Sequence, residues 1–326
     1  MKFMEKFYDN TRISDFRRCP RLFYYRHIRD WTPGKKGPAL IFGSAWHAAM
    51  DAVWPEMCGK ADANKKTIVE KGYEAFLQSW TADGLPHPNN MTSEEAEALS
   101  PRLPAIALEM LYGYVEKRKR LLSEMELVYV ERPFAVPLSP TNAALFYVGR
   151  LDKVVKYKGD HLVIEHKTTT AYKKDGPFRA QFIDSFSPNS QVDGYIHALH
   201  MLFGKKAKAV WIDASLVHKQ VHDGFQFIPV ERQFAQIDAW LWEAHYWINQ
   251  IEENSGLVDE TDPEEPFLST FPKNTSSCSD YGGCPYAVLC KSLSNPAQQG
   301  ETPQGFLKDH WSPFEELHLE QIGLKK

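Results

Sequence analysis

Two adjacent segments near the middle of the chain constrain its fold more than any other feature. Residues 144–157 and 160–169 are rich in β-branched and aromatic side chains, and the Lys-Gly-Asp sequence between them is typical of a tight turn. Two antiparallel strands joined in this way would place Asp152 beside Glu165. Lys167 would lie on the same face as Glu165, because side chains two residues apart in a strand share a face.

This predicted cluster has a definite chemistry. Two carboxylates and a lysine are costly to hold together unless a divalent cation neutralises the acids, and carboxylate oxygens suit Mg²⁺ or Mn²⁺. A lysine beside such an ion can orient or deprotonate a water molecule, or stabilise negative charge on a phosphate. The pattern therefore predicts cleavage of phosphodiester bonds. The competing interpretation is a solvent-exposed hairpin whose charges form a salt bridge.

Further motifs accompany these residues in a fixed order along the chain. Residues 13–25 form an aromatic and arginine-rich segment, a Gly-Ser-Ala-Trp-His sequence ends at His47, Tyr195 follows Gln191 by four residues, and cysteines cluster near the end. From about residue 11 to 291, the set resembles the RecB-like exonuclease branch of the PD-(D/E)XK nuclease superfamily. Within that branch it is similar to iron–sulfur members, the AddB-type and CRISPR-associated exonucleases.

The resemblance implies a role for each residue of the central cluster. Asp152 and Glu165 would bind one or two Mg²⁺ or Mn²⁺ ions, and His47 and the backbone carbonyl of His166 would add ligands. Lys167 would be catalytic together with the two acids and would position the attacking water. A histidine ligand favours transition metals, so the site should work well with Mn²⁺.

The resemblance also implies that Gln191 and Tyr195 contact the substrate. The two residues are four apart and therefore lie on one face of a helix. The alternative is ordinary packing of Tyr195 in the core. For His47 the corresponding alternative is a packed histidine with no ligand, since it lies among apolar helix neighbours.

Five cysteines occur in the chain: Cys19, Cys58, Cys278, Cys284 and Cys290. A cytosolic chain should lack structural disulfides, so their clustering favours a metal. Zinc sites usually contain two cysteines separated by two to four residues, which are absent here, whereas iron–sulfur clusters accept wider spacing. The resemblance implies a 4Fe–4S cluster on every cysteine except Cys58, a predicted core residue. The five-residue gaps are wider than in related clusters, and zinc and free thiols remain alternatives.

Charge is distributed unevenly, although the net charge is only −4. Residues 1–36 contain ten Lys and Arg against four acids, and 252–265 contain seven acids and no base. The first segment is predicted to form a helix over 11–29 with Ser14 as N-cap. Its aromatic residues favour either base stacking beside phosphate-binding arginines or burial in the core. These aromatic residues are Phe16, Phe23, Tyr24, Tyr25 and Trp31.

The order of predicted elements indicates a mixed α/β fold, and the resemblance implies a restriction-endonuclease-like central mixed β-sheet flanked by helices. A helical N-terminal part over 1–125 would carry Cys19 and His47. The nuclease core would occupy 126–254. An acidic linker, the cysteine segment and a tail would follow over 255–326, and all three parts are expected to form one integrated domain.

The predicted function is a metal-dependent DNA exonuclease acting on single strands or DNA ends. Recombination, repair and mobile-element processing are the expected settings. A structure-specific endonuclease on the same fold and a non-catalytic DNA-binding subunit are the alternatives. A P-loop sequence is absent, so any helicase or recombination protein would be a separate partner. No apolar run approaches the roughly 18 residues that span a bilayer, and no signal-peptide core is seen, so a cytoplasmic location is expected.

Overall fold

The computed structural model describes residues 6–139, 144–204, 207, 209–258 and 264–322. The chain forms two compact units. The central unit comprises Lys36–Arg132 and Arg150–Gln233, and the terminal unit comprises Met1–Lys35, Pro133–Gly149 and Phe234–Lys326. Residues 259–263, part of the predicted acidic linker, lie outside the described residues.

The strands form a mixed sheet and a small ribbon. They are β1 (Lys6–Tyr8), β2 (Trp31–Pro33), β3 (Glu126–Pro137), β4 (Leu145–Tyr157), β5 (Asp160–Thr169), β6 (Ala209–Leu216), β7 (Phe225–Glu231) and β8 (Phe306–Lys308). β5 pairs antiparallel with β4 and parallel with β6, and β6 pairs antiparallel with β7. β1 pairs parallel with the start of β4, β3 also pairs with β4, and β2 pairs with β8.

Helices occupy most of the remaining described chain. They are α1 (Asn10–Arg18), α2 (Pro20–Phe23), α3 (Pro38–Met57), α4 (Lys65–Ala82), α5 (Ser93–Leu99), α6 (Pro104–Ser123), α7 (Ala180–Asp184), α8 (Ser190–Phe203), α9 (Phe234–Val258), α10 (Ala287–Ser292) and α11 (Pro313–Glu316). None of these described helices is long and apolar enough to cross a membrane. The predicted mixed α/β fold, with a central mixed sheet flanked by helices, is confirmed.

An apolar core fixes α3 in the central unit. α3 packs on α4, and α4 packs on α6, through side chains that recur at helical spacing. The largest fully buried ones include Trp46, Trp54, Phe76, Trp80 and Tyr114. They join Val155, Ile164 and Phe225 of the sheet in one cluster, and each buried side chain of this size contributes about 1.5–3 kcal/mol. The helix that carries His47 is therefore held firmly against the strands.

The helix predicted over 11–29 is interrupted in the terminal unit. α1 ends at Arg18, and Cys19 is extended, with φ −163° and ψ 112°, before α2 begins. Pro20 explains the break, because proline lacks the N–H of a helical bond and favours an extended preceding residue. The chain continues as one π-helical segment over Tyr24–Ile28. The single predicted helix is therefore wrong, and the break sets the backbone direction at Cys19.

The predicted N-cap of this helix is also wrong. Asp9, not Ser14, caps α1, and its carboxylate accepts a hydrogen bond from the N–H of Arg12 at 2.7 Å. Ser14 lies in the second turn, where its hydroxyl is 3.4 Å from Asn10 Oδ1. The first turn of α1 is polar, and its apolar residues begin only at Ile13. An N-cap placed from the apolar pattern is therefore one turn too far along the chain.

The aromatic residues of the N-terminal segment are core residues. Each of the five is at most 4% exposed, so the base-stacking interpretation is wrong. Phe16, Phe23 and Tyr24 contact Phe271, whose ring stacks on Phe23 with centroids 5.9 Å apart, and Tyr25 stacks on Trp31. Arg21 is buried as well, and its guanidinium donates to the carbonyl oxygens of Phe271 and Leu268 at 3.0 and 3.3 Å. Burial leaves none of the five rings available to a nucleic-acid base.

Two helical glycines predict opposite effects of the same substitution. A Cβ on Gly113 of α6 would overlap the carbonyl oxygen of His222, whereas a Cβ on Gly256 of α9 would meet no atom within 4 Å. We expect Gly113→Ala to lower the free energy of unfolding by about 1–3 kcal/mol through overpacking. Gly256→Ala should raise it by up to about 1 kcal/mol through helix propensity. Urea unfolding of both variants tests this, and equal effects would contradict the packing described for α6.

Candidate functional site

The predicted hairpin is present and brings the central acids together. β4 and β5 pair antiparallel with Lys153 opposite Ile164, so the next positions, Asp152 and Glu165, are neighbours. Lys158 and Gly159 form the turn with φ values of 51° and 92°, which a two-residue hairpin turn requires. The turn prediction and the antiparallel pairing are both confirmed.

The side chains of this hairpin open into a cavity of about 510 Å³ in the central unit. Its walls come from the first four turns of α3, from β3, from the middle of β4 and from the carboxyl end of β5. Polar residues that line it include His47, Asp51, Glu131, Asp152, Lys167 and Thr168. One helix and three strands thus contribute to one concave surface.

Asp152 is buried and accepts hydrogen bonds from two directions. The backbone N–H of His166 donates to Asp152 Oδ2 at 2.9 Å, and His47 Nδ1 lies 3.3 Å from the same oxygen. Burial opposes ionisation, but the His47 imidazolium outweighs it and holds the pKa of Asp152 well below its usual range. Asp152 is therefore ionised throughout the range in which proteins are studied.

Glu165 behaves in the opposite way. Burial and then repulsion by Asp152 raise the pKa of Glu165 to about 7, although Lys167 Nζ lies 2.6 Å from Oε1. Among the described residues, the second oxygen, Oε2, is buried and has no hydrogen-bond partner. A buried carboxylate oxygen without a partner is costly, and an added cation would relieve this cost.

His47 bridges two oxygens of the strands. Its Nε2 lies 2.9 Å from the carbonyl oxygen of His166, and its Nδ1 faces Asp152. Burial disfavours the imidazolium, but attraction to Asp152 prevails and raises the pKa of His47 to about 9. The structure therefore brings His47, Asp152 and the His166 carbonyl together, three of the groups predicted from the sequence to bind metal.

Glu131 joins this group, although no sequence motif predicts a role for it. Nitrogen and oxygen atoms of His47, Glu131 and Asp152 lie within 4.8 Å of one another. Glu131 has φ of 50°, rare for a residue with a side chain, and this conformation within β3 redirects the carboxylate. Burial and then the charges of Asp152 and Asp51 raise its pKa. No local sequence signal marks this conformation.

A buried polar network lies behind the hairpin and was also missed. Asp213 of β6 pairs in register with His166, and its carboxylate lies 3.2 Å from His166 Nδ1. Arg118 and Tyr114 of α6 contact the same carboxylate at 2.5 Å each. Trp54 donates to the Tyr114 hydroxyl at 2.9 Å. The network ties α3, α6 and β6 to the residue between Glu165 and Lys167.

The donor set around the cavity fits a divalent cation. Asp152, Glu131 and the His166 carbonyl supply hard oxygen atoms, His47 supplies an imidazole nitrogen, and Glu165 supplies the buried oxygen without a partner. Oxygen ligands suit Mg²⁺, and a mixed oxygen and imidazole set suits Mn²⁺. Glu131 and Glu165 keep raised pKa values although each has a cationic partner, and a divalent cation would lower both.

Gln191 and Tyr195 lie on α8, as predicted, and contact each other. Gln191 Nε2 donates to the Tyr195 hydroxyl at 3.1 Å, and the Tyr195 ring is buried. Asn189 caps the helix by accepting from the N–H groups of Gln191 and Val192. Neither predicted substrate residue is among the described residues that line the 510 Å³ cavity.

The cysteines predicted to bind a cluster line a second cavity, in the terminal unit. Its volume is about 240 Å³, and Cys19, Cys278, Cys284 and Cys290 all contribute to its wall. Burial raises the pKa of the thiols of Cys284 and Cys290. Cys58 lies elsewhere, at the end of α3 in the central unit, where burial raises its thiol pKa to about 12.

The pKa values of Glu165 and His47 predict how stability depends on pH. Glu165 has a folded pKa of about 7 against an ordinary 4.5, so its contribution is complete below pH 4.5 and lost as pH rises through 7. His47 has a folded pKa of about 9 against an ordinary 6.5, so its contribution to stability is lost as pH rises from 6.5 through 9. The melting temperature of EDTA-treated protein should therefore fall as pH rises through these values. Glu165→Gln should remove the lower part of this decline, and an unchanged profile would contradict the pKa assignment.

Comparison with known proteins places this geometry in a family. The family model described as PD-(D/E)XK nuclease superfamily matches residues 10–291. A search of curated proteins finds no match. Two solved structures are similar at 12% identity: a candidate exonuclease from Eubacterium rectale (TM-score 0.49, 93% of this chain and 91% of that chain) and an alkaline exonuclease from Laribacter hongkongensis (TM-score 0.29, 68% and 96%). Both TM-scores are below 0.5, so the family model alone carries the assignment. The chain belongs to the PD-(D/E)XK nuclease superfamily.

Proposed function

We propose that this nuclease is a metal-dependent DNA exonuclease of the RecB-like type. One observation carries the proposal: Asp152, Lys167 and His47 line one cavity of the central unit, and the buried Glu165 contacts Lys167 there. A decayed or purely architectural site would have no reason to keep buried acids whose charges repel each other. The cost of this arrangement is understandable if the acids serve a reaction.

The side chains divide the work. Asp152, Glu165, Glu131, His47 and the His166 carbonyl would hold Mg²⁺ or Mn²⁺. When bound, such an ion supplies Lewis acidity and lowers the pKa of water. Lys167, whose Nζ lies 2.6 Å from Glu165 Oε1, lines the same cavity, where it would orient the attacking water and stabilise charge on the phosphate.

Single strands or DNA ends are the proposed substrate. In this proposal Gln191 and Tyr195 of α8 contact the nucleic acid, and their hydrogen bond fixes the amide for that contact. A separate helicase or recombination protein would supply duplex opening. Recombination, repair and the processing of mobile-element DNA are the proposed settings.

We also propose a 4Fe–4S cluster in the cysteine cavity, held by Cys19, Cys278, Cys284 and Cys290. A single zinc ion bound at about 2.3 Å would bring its sulfur ligands within roughly 4 Å of one another. No three of these four sulfur atoms, all in the described part of the chain, come within 4.8 Å of one another. The wider arrangement around a 240 Å³ cavity supports a cluster over one zinc ion.

Lys167→Ala tests the proposed mechanism. We expect a loss of about 100- to 1,000-fold in kcat on linear DNA with Mn²⁺, because one preorganised cation at the reacting phosphate is removed. Lys156→Ala is the matched control, since Lys156 is an exposed lysine on the same hairpin, near its turn. Turnover of Lys167→Ala at the control's rate would refute the role of this lysine.

The same assay separates the candidate activities. End-labelled linear DNA and closed circular DNA are offered to the wild-type protein with Mg²⁺ or Mn²⁺. Short products from linear DNA, with circular DNA left intact, support an exonuclease. Cleavage of circular DNA would instead indicate an endonuclease. If the wild-type protein cuts neither DNA faster than the Asp152→Ala variant does, a non-catalytic DNA-binding subunit is favoured.

Cys290→Ser tests the proposed cluster. The anaerobically purified variant should lose the visible iron–sulfur absorbance and bound iron, and its melting temperature should fall, because the cluster joins distant parts of the terminal unit. Cys58→Ser is the control and should retain both signals, since Cys58 does not line the cavity. Zinc instead of iron in both proteins would overturn the cluster assignment.

A further inference from the structure

Two loops follow the parallel strands next to the cavity. β5 and β6 are parallel and end together, with Thr169 paired to Leu216, so the segments after them leave the sheet at the same edge. We call residues 170–179 and 217–224 the edge loops. The N–H of Val217 donates to the carbonyl of Thr169 at 2.8 Å and joins the two loops where they begin.

The edge loops are ordered by their own contacts. The rings of Tyr172 and His218, one from each loop, lie 4.6 Å apart. His218 Nδ1 accepts hydrogen bonds from the N–H groups of Gln220 and Val221 at 3.1 and 3.2 Å. Arg179 returns to the start of its loop, where its Nε donates to the Tyr172 carbonyl at 3.2 Å. The loops therefore present their exposed side chains from a defined backbone.

The exposed charge of the edge loops is mainly positive. Four cationic side chains are exposed, namely Lys173, Lys174, Arg179 and Lys219, against two acidic ones, Asp175 and Asp223. In the described part of the chain, none of these cations forms an ion pair with a carboxylate. The edge loops are therefore positively charged although the whole chain has a net charge of −4. Unpaired exposed cations at one place attract polyanions.

The edge loops lie next to the cavity that contains the proposed cleavage site. Thr168 and Lys167 line the 510 Å³ cavity, and the first edge loop begins at residue 170, directly after them. A nucleic-acid strand with one phosphate at Lys167 would extend past the sheet end from which the first edge loop leaves, three residues after Lys167. Tyr172, which is partly exposed, offers a ring face beside those cations.

We propose that the edge loops form a phosphate-binding surface that holds a nucleic-acid strand beside the cleavage site. Lys174 and Lys219, one from each loop, are the principal phosphate contacts. The occupant is a single strand of nucleic acid, since repeated phosphates match several cations and the cavity lies at the same sheet edge. The inference rests on the proposed nuclease function, and it adds the surface that positions the substrate.

Salt-dependent binding tests the surface apart from cleavage. A fluorescent single-stranded oligonucleotide is titrated with protein in EDTA, where no cutting occurs, across a range of salt concentrations. The Lys174→Ala/Lys219→Ala double variant should bind more weakly. The slope of the logarithm of its binding constant against the logarithm of salt concentration should be smaller in magnitude by about 1.4. Each lost phosphate contact on a single strand reduces this slope by about 0.7.

A double variant of equal charge provides the control. Lys156→Ala/Lys158→Ala removes two exposed lysines from the hairpin-turn end of the same strands and should keep the wild-type slope. With Mn²⁺, the loop variant should raise KM with little change in kcat, since the loops lie outside the reacting atoms.

The outcomes separate this inference from the proposed function. Equal slopes for loop variant and control, or wild-type protein that binds an acidic polypeptide but not the oligonucleotide, would overturn the inference. Cleavage by the wild type with unchanged KM in the loop variant would overturn it while leaving the nuclease intact. A changed slope in a protein that cuts no DNA would support the surface and refute the exonuclease.

Discussion

Repulsion between buried carboxylates is the constraint on which the central unit depends. Glu131 and Asp152 line one cavity, Glu165 is buried beside Lys167 of the same cavity, and each of these three acids is paired with one cation. Glu131 pairs with Arg150, Asp152 with His47, and Glu165 with Lys167. The matching is incomplete, because Glu165 and Glu131 keep raised pKa values and one oxygen of Glu165 has no partner among the described residues. One carboxylate oxygen is thus left without a partner and two acids keep raised pKa values, and a divalent cation beside them would relieve both.

Rigid packing behind the cavity makes such an arrangement tenable. The apolar core around α3 fixes His47, and the Asp213 network fixes His166 from the opposite side of its backbone. Arg118 neutralises Asp213, although burial opposes ionisation, and this attraction lowers the carboxyl pKa. His166 therefore has its side chain in a neutralised network and its backbone in the charged site. Movement of either would be resisted by the other.

The sequence predicts the parts of this site that local rules determine. The turn, the strand alternation and the one-residue spacing of Glu165 and Lys167 follow from neighbouring residues alone. Glu131 could not be found in this way, because its approach depends on a left-handed conformation within β3. Asp213 depends on the parallel register of β5 and β6, which no local pattern records. The placement of Gln191 and Tyr195 on one helix face was predictable, but the direction of that face depends on packing of α8.

The terminal unit is built from both ends of the chain, and this has a consequence for biosynthesis. Arg21 finds its carbonyl acceptors at Leu268 and Phe271, 247 and 250 residues later. A ribosome adding 5–20 residues per second needs roughly 10–50 s to cover that distance. During that interval the buried aromatic residues of the first segment have no Phe271 to pack against. The nascent chain therefore exposes an apolar and basic segment until residue 271 has been synthesised, and chaperones and proteases have the first access to it.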